Sequence, residues 1–267
     1  MAPDLTDVVN NTAFIEKYSE MFEKSLISLL KTHFHLKKSD FTNMQVYFAR
    51  DCSRCNIWRQ KHYSEYKGTR SLAKKKHPFD GMIFDYVYNV IIPYLINKYD
   101  FIHMCGNEEA EADDVIAIIS SCLSTNHNLD DSVYIITNDH DYLQLLDDVT
   151  GIYNLQGMNL ATKALEGCAK KSLILKVLQG DTSDNIKGVL SKTKSLQLLK
   201  QYDTIESVDE YFSTKGTAQQ LAQYEFNKLL ICFKNIPTYI RDSVIENFHT
   251  HTFSNCAACN NMSSTLL

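Results

Sequence analysis

"DFIHMCGNEEAEADDVIA", residues 100 to 117, begins as a strand and ends as a helix, with its acids at the change between the two. "DFIHMCG" (100 to 106) is short and mostly apolar, as a buried strand is, and "EEAEADDVIA" opens a helix behind it. Glu108, Glu109, Glu111, Asp113 and Asp114 stand within seven positions, with no lysine or arginine among them. A solvated helix face usually alternates signs, so that opposite charges meet at three- and four-residue spacing. Nothing local compensates these acids. The compensation has to come from elsewhere in the chain or from something the chain binds.

The same strand-then-helix pattern repeats on both sides. Residues 11 to 32 place Phe14, Ile15, Tyr18, Phe22, Leu26, Leu29 and Leu30 at helical spacing. "MQVYFA" (44 to 49) is expected to be a buried strand, and residues 82 to 98 a helix that Pro93 kinks or divides. "SVYIITN" (132 to 138) gives a third strand with a helix starting near Asp139, and "TGIYNL" (150 to 155) a short fourth. Strands separated by helices of this size imply an α/β fold, a parallel central sheet with helices on both faces.

That fold turns spacing into geometry. Ligands of open parallel sheets gather beyond the carboxyl ends of the strands. Asp51, the run Glu111 to Asp114, and the pair Asp139 and Asp141 fall at three such ends and are expected to converge. A helix N-terminus favours a carboxylate by roughly 0.3 to 1 kcal/mol, too little to offset several mutual repulsions in a partly desolvated cleft. Hard divalent cations, Mg²⁺ or Mn²⁺, are the simplest remedy, since they bind carboxylate oxygen.

The chain has 267 residues, 44% of them apolar, enough for a sizeable core. No apolar run approaches the roughly 20 residues of a membrane span and no hydrophobic secretory block stands at the start, which predicts an intracellular protein. Its eight cysteines are scattered, so reduced thiols are expected. Cys52 and Cys55 have zinc-ligand spacing, as do Cys256 and Cys259, but the pairs are too remote in sequence to favour a shared zinc site. The net charge of −5 is unevenly spread. Between Arg50 and Lys76 nine basic residues face two acids, a local +7 that leaves −12 for the rest. Such a strip suggests an anionic partner, with Arg54, Arg59, Lys74 and Lys75 as candidate contacts. Trp58, Tyr63 and Tyr66 are interleaved in it and could stack on bases or pack in a core.

"LQGDTSDNIKGV" (178 to 189) adds Asp181 and Asp184. Alone, it could be a turn whose side chains bond their own backbone. In order with "ARDCSRCNIWRQKHYSEYKGTR", "EAEADDVIA" and "ITNDHDYLQLL", it resembles the 5′ nuclease superfamily, the flap endonucleases and the 5′ to 3′ exonuclease domains of bacterial DNA polymerases. The resemblance covers about residues 44 to 190, and "QYEFNKLLICFKNIP" (223 to 237) is similar to the closing segment of stand-alone viral members.

This resemblance implies that Asp51, Glu111, Asp113, Asp114, Asp139, Asp141, Asp181 and Asp184 hold two Mg²⁺ ions, for which Mn²⁺ can substitute. It implies that Lys67 and Arg70 approach the scissile phosphate, with Tyr66 beside them. Residues 71 to 100 would form a helical arch passing a single-stranded 5′ end. The nuclease domain would occupy residues 1 to 178 and a helix-hairpin-helix region gripping duplex DNA residues 179 to 248, with a disordered tail from 249 to 267.

Two departures qualify the resemblance. Family members begin with a strand carrying an Asp, whereas this sequence starts directly before the first helix, which suggests a fragment with weak or no nuclease activity on its own. "VLSKTKSLQLLK" lacks the glycines of the family's hairpin, which weighs against the K⁺ ion bound there. Duplex contact is then expected from Lys187, Lys192 and Lys194. A monomer suits the implied task, and no sliding-clamp peptide stands in the tail, although replication proteins are natural partners for such an enzyme. The competing readings are a PIN-like ribonuclease, against which "YKGTR" and "GDTSDN" speak, and a DNA-binding remnant of the same fold.

Overall fold

A computed structural model describes residues 12–34, 37, 43–68, 79–126 and 132–253. Arg70, Lys74 and Lys75, the first part of the expected arch, the Cys256/Cys259 pair and the tail from 254 lie outside these residues. Among the described residues there are four strands: β1 (Val46–Arg50), β2 (Ile102–Gly106), β3 (Val133–Ile136) and β4 (Thr150–Tyr153). β1 pairs with β2 and β3 with β4, both in parallel register, Val46 opposite Ile102 and Val133 opposite Thr150. Among the described residues no ladder joins β1 to β3, so the expected single sheet is split into two parallel pairs.

Alternation along β1 and β2 assigns their faces. Val46, Phe48 and Ile102 point to one side, where Tyr18 and Phe22 of α1 (Thr12–Ser28) meet Ile91 and Leu95. Those two come from the α3–α4 rod, α3 (Phe79–Tyr86) running through a π-helical turn (Val87–Ile91) into α4 (Ile92–Lys98). Pro93, expected to kink or divide this helix, sits in the first turn of α4, directly after the π-helical turn that divides it from α3. Proline lacks the N–H of an α-helical bond and crowds the carbonyl four residues back, and the wider π turn relieves both without breaking the rod. On the other face Tyr47, Ala49 and Cys105 pack against Val115, Ile118 and Ile119 of α5 (Ala112–Asn126) and Ile240, Val244 and Phe248 of α10 (Thr238–Phe253). Helices therefore cover both faces of the β1–β2 pair.

After β4 the chain is helical: α6 (Ala169–Gln179), α7 (Lys192–Leu199), α8 (Ile205–Lys215) and α9 (Ala218–Ile231). Thr204 and Thr217 start α8 and α9 with reciprocal capping boxes, Thr217 paired to Gln220. Their apolar faces meet α6 and α7 around Ile174, Leu198, Val208, Phe212 and Tyr224, the last two rings stacked at 4.6 Å. Asn227, fully buried, donates to the carbonyls of Val177 and Lys187, both at 2.8 Å, and so ties α9 to the segment after α6. α10 leaves this group and returns to β2 and α5, continuing to Phe253, past residue 249 where the tail was expected.

Candidate metal centre

The strands and helices bring the acids together in two groups of carboxylates. Glu111, Asp113 and Asp114 offer oxygens within 4.8 Å of one another at the start of α5, and Asp141, Asp181 and Asp184 do the same between the turn after β3 and the loop after α6. Tyr66 joins the groups, its hydroxyl 2.9 Å from Glu111 Oε2 and 3.1 Å from Asp184 Oδ2. Lys67 Nζ bonds Glu111 Oε1 and lies 4.0 Å from Asp184 Oδ1. Asp51 is exposed at the end of β1, where it accepts the Ala112 N–H at 2.7 Å and so caps α5 from outside. Asp139, also exposed, accepts the Asp141 N–H at 2.9 Å as the cap of the 3-10 helix His140–Leu145, at the place where a helix was expected to start. Burial raises the pKa of the Tyr142 hydroxyl, and the charges of Asp113, Asp139, Asp51 and Asp114 raise it further. Acids from three strand ends thus act on one side chain.

The chain answers part of its own charge problem. Arg59, expected on a DNA-facing surface, is 2% exposed: its guanidinium is bidentate on Asp114 at 2.7 Å, reaches Glu111 at 3.1 Å and donates to the Leu230 carbonyl at 2.7 Å. Trp58 is buried beside it and donates Nε1–H to Asp114 at 2.9 Å. Asp114, expected as a metal ligand, is fully buried and receives these donors together with the Glu111 N–H at 3.2 Å. Of these four contacts three fall on Oδ2 and one on Oδ1, so Asp114 anchors the helix start while remaining one of the three carboxylates grouped there. Tyr66, expected beside the phosphate, is likewise buried at 2% exposure, with only its hydroxyl reaching the carboxylates.

The loops carrying these groups are locked to one another. Gly180 has φ of +70°, and a Cβ there would stand 2.4 Å from the Ile186 carbonyl, so glycine alone fits. Asp181 and Ile186 exchange both backbone hydrogen bonds, and Asp181 Oδ1 accepts from Ser183 N at 2.8 Å, giving the self-bonded turn that the sequence allowed. Lys67 takes a left-handed φ of 55°, held by its N–H on the Asp184 carbonyl at 3.0 Å and by Arg54, exposed on the surface, on its own carbonyl at 2.6 Å. Lys187, Lys192 and Lys194 are all exposed, the last two in the first turn of α7.

Lys176 was missed. Its Nζ bonds Asp141 and lies 2.8 Å from Asp181 Oδ2. The signal was a lone cation in the apolar run "SLILKVLQG" one turn before an acidic loop. Burial pushes the Asp181 carboxyl up, but the bond to Lys176, the charge of that ammonium and the Ser183 donors together outweigh it and hold the group at about 2. Asp113 has no such partner among these cations, and burial, then the neighbouring Asp114 charge, pushes it up to about 7. Among the described residues three cations, Arg59, Lys67 and Lys176, bond members of this set of eight carboxylates, five fewer than the acids. An all-oxygen donor set with that excess suits divalent cations of the Mg²⁺ or Mn²⁺ type.

The family model for the 5′-3′ exonuclease, N-terminal resolvase-like domain, matches residues 15–173. A 5′-3′ exonuclease of Mycoplasma pneumoniae is 30% identical over 177 residues, which is 61% of this chain and 56% of that protein, so the chain spans about half the length of that relative. The 5′-exonuclease of T5 with bound divalent zinc ions superposes with a TM-score of 0.67 at 17% identity, over 89% of this chain and 90% of that one. The bacteriophage T5 flap endonuclease in a complex with DNA and metal ions gives 0.62 at 16% identity over the same shares. These two likenesses fix the fold. The match over more than half of the sequence, on the segment that carries six of the eight acids, places the chain in the family of 5′-3′ exonuclease N-terminal resolvase-like domains.

Proposed function

We propose that this chain is a divalent-metal-dependent 5′ nuclease, acting as a 5′ to 3′ exonuclease or flap endonuclease on DNA with a single-stranded 5′ end and an adjoining duplex. The observation that carries the reading is the convergence of acids from three strand ends and the Gly180 loop, which outnumber by five the cations that the described residues set against them. Two divalent ions, Mg²⁺ or Mn²⁺, would supply positive charge at the phosphodiester and make an attacking water more acidic.

The chain's residues supply the rest. Glu111, Asp113, Asp141, Asp181 and Asp184 are the holding carboxylates, with exposed Asp51 and Asp139 at the rim. Lys67, its backbone strained and its ammonium at the junction of the two groups, places a cation against the phosphate undergoing attack. Arg70 follows Lys67 by three positions in "YKGTR", and Lys74 and Lys75 continue the cationic strip in the sequence. Lysines in the first turn of a helix oppose its dipole unless an anion sits there, and Lys192 and Lys194 at the start of α7, with Lys187 nearby in sequence, suit a duplex phosphate. A water displacing the 3′ oxygen of the broken bond leaves a 5′ phosphate and a 3′ hydroxyl.

A 5′-flap duplex incubated with the protein and Mg²⁺ tests this. Cleavage abolished by EDTA and by Asp184→Asn or Asp139→Asn is the expected result. DNA binding without cleavage under Mg²⁺ or Mn²⁺ would identify a binding remnant, and cleavage of RNA alone would move the chain to the ribonucleases.

A further inference from the structure

We propose that Lys176 is an exchangeable counter-ion of the Asp141, Asp181 and Asp184 group, which yields its place when a divalent cation binds there. The inference rests on the metal reading above and concerns what that reading leaves open, the cation already inside one of the two groups.

The geometry of the two built-in cation sets differs. The Arg59 fork is 2% exposed and holds Asp114, Glu111 and the Leu230 carbonyl at once. It cannot leave without stranding a buried charge, so it belongs to the scaffold. Lys176 is a point charge on a flexible four-carbon stem, with a quarter of its side chain (24%) exposed. Its Nζ touches Asp141 Oδ1 and stands 2.8 Å from Asp181 Oδ2, on two of the three carboxylates that, with Asp184, bring oxygens within 4.8 Å of one another. Mg²⁺ requires carboxylate oxygens at about 2.0 to 2.1 Å. An ammonium bonded to the same carboxylates competes with that ion for them, and the two cations repel each other. The open flank of the lysine gives it somewhere to go, as long charged side chains keep their heads in water when released.

Two consequences follow for the metal-free and metal-loaded protein. Without metal, Lys176 holds the loop Asp181–Asp184 against the turn at Asp141 and keeps that group from bare repulsion. With metal, the group near Lys176 is filled against an ammonium that holds two of its three carboxylates, whereas Lys67 bonds only Glu111 of the other three, so the ion near Lys176 binds more weakly than the one beside Glu111 and Asp113. Lys176, already a quarter exposed, becomes more accessible once that ion has arrived.

The test titrates Mn²⁺ alone into the full chain by calorimetry, with no DNA and no turnover, comparing wild type, Lys176→Met, Lys176→Gln and Lys171→Met. Lys171 pairs with exposed Glu166 across the helix start and controls for loss of one positive charge. The expected result is a two-step isotherm whose weaker step tightens about tenfold in both Lys176 variants, the ~1.4 kcal/mol of one charge-assisted hydrogen bond, and stays within about twofold in Lys171→Met. In wild type, acetylation of Lys176 read by mass spectrometry should rise several-fold on saturation with Mg²⁺. A weaker step unchanged or loosened in the Lys176 variants, or acetylation indifferent to Mg²⁺, overturns the proposal. Absence of Mn²⁺ uptake by every protein would refute the metal reading itself, and the Lys176 proposal with it; uptake in the wild type with no Lys176 effect refutes only the latter.

Discussion

Asp113 gives the sharpest quantitative test of the crowded site. Burial and the adjacent Asp114 charge lift its carboxyl from an ordinary 3.8 to about 7 in the metal-free fold. A carboxyl lifted in this way keeps its proton longer in the folded than in the unfolded chain, so between about pH 4 and pH 7 the folded state binds the extra proton. Stability contributed by this group therefore falls as pH rises through that window and levels off above it. Integrating the two pKa values gives a loss of about 2 kcal/mol between roughly pH 5.5 and pH 7.5. Asp113→Asn cannot ionise, yet its amide oxygen can still accept the Asp114 N–H that Asp113 Oδ1 accepts at 2.8 Å. Urea denaturation in EDTA across this range should show wild type losing about 2 kcal/mol more than the variant, with the variant the more stable at pH 7.5. Added Mg²⁺ should reverse the order at neutral pH, since an ion that binds only the folded state stabilises it and needs the Asp113 charge. Parallel stability curves for the two proteins in EDTA would refute the account of Asp113 as the site's uncompensated carboxylate.

Arg59→Met strands Asp114 without its bidentate partner and should cost about 3 to 5 kcal/mol by thermal or chemical melting, whereas the double variant with Asp114→Leu should recover a large part of it. Trp58→Phe keeps the ring in the core but removes the donor to Asp114, and a loss of about 1 to 3 kcal/mol is expected in the same assay. Gly180→Ala forces a Cβ against the Ile186 carbonyl at a positive φ, and should destabilise the fold by about 2 kcal/mol or more while weakening Mn²⁺ uptake, because Asp181 and Asp184 ride on that loop. Replacing Lys187, Lys192 and Lys194 together with alanine should lower the slope of log affinity for duplex DNA against log salt by about 0.9 for each lost phosphate contact, and an unchanged slope would remove them from the interface.

Much of the architecture was legible because it depends on local periodicity. The alternation in "MQVYFA" and "DFIHMCG" and the helical spacing from Phe14 to Leu30 each bury one face, and the elements appear within a few residues of their expected bounds. The acids were legible as a group because strand ends in a parallel sheet share one edge. Register between sheet halves was not. Whether β1 and β3 lie side by side depends on backbone partners that no side-chain pattern encodes, and the described residues show two separate pairs.

The sequence by itself determined the composition of the centre: acids at successive strand ends, a cationic strip, and a GDTSDN loop in fixed order. Only the tertiary structure decided which charges meet. Arg59 and Tyr66 stand in a strip that looks made for DNA, yet the helical turn at Trp58–His62 and the turn after it direct them inward onto Asp114 and Glu111. Lys176, some 35 residues from Asp141 in sequence, ends in contact with it. Charge in a sequence is a count, whereas the energy of a charge depends on its distance to others and on the water excluded between them, and both are set by the folding of remote segments onto one another.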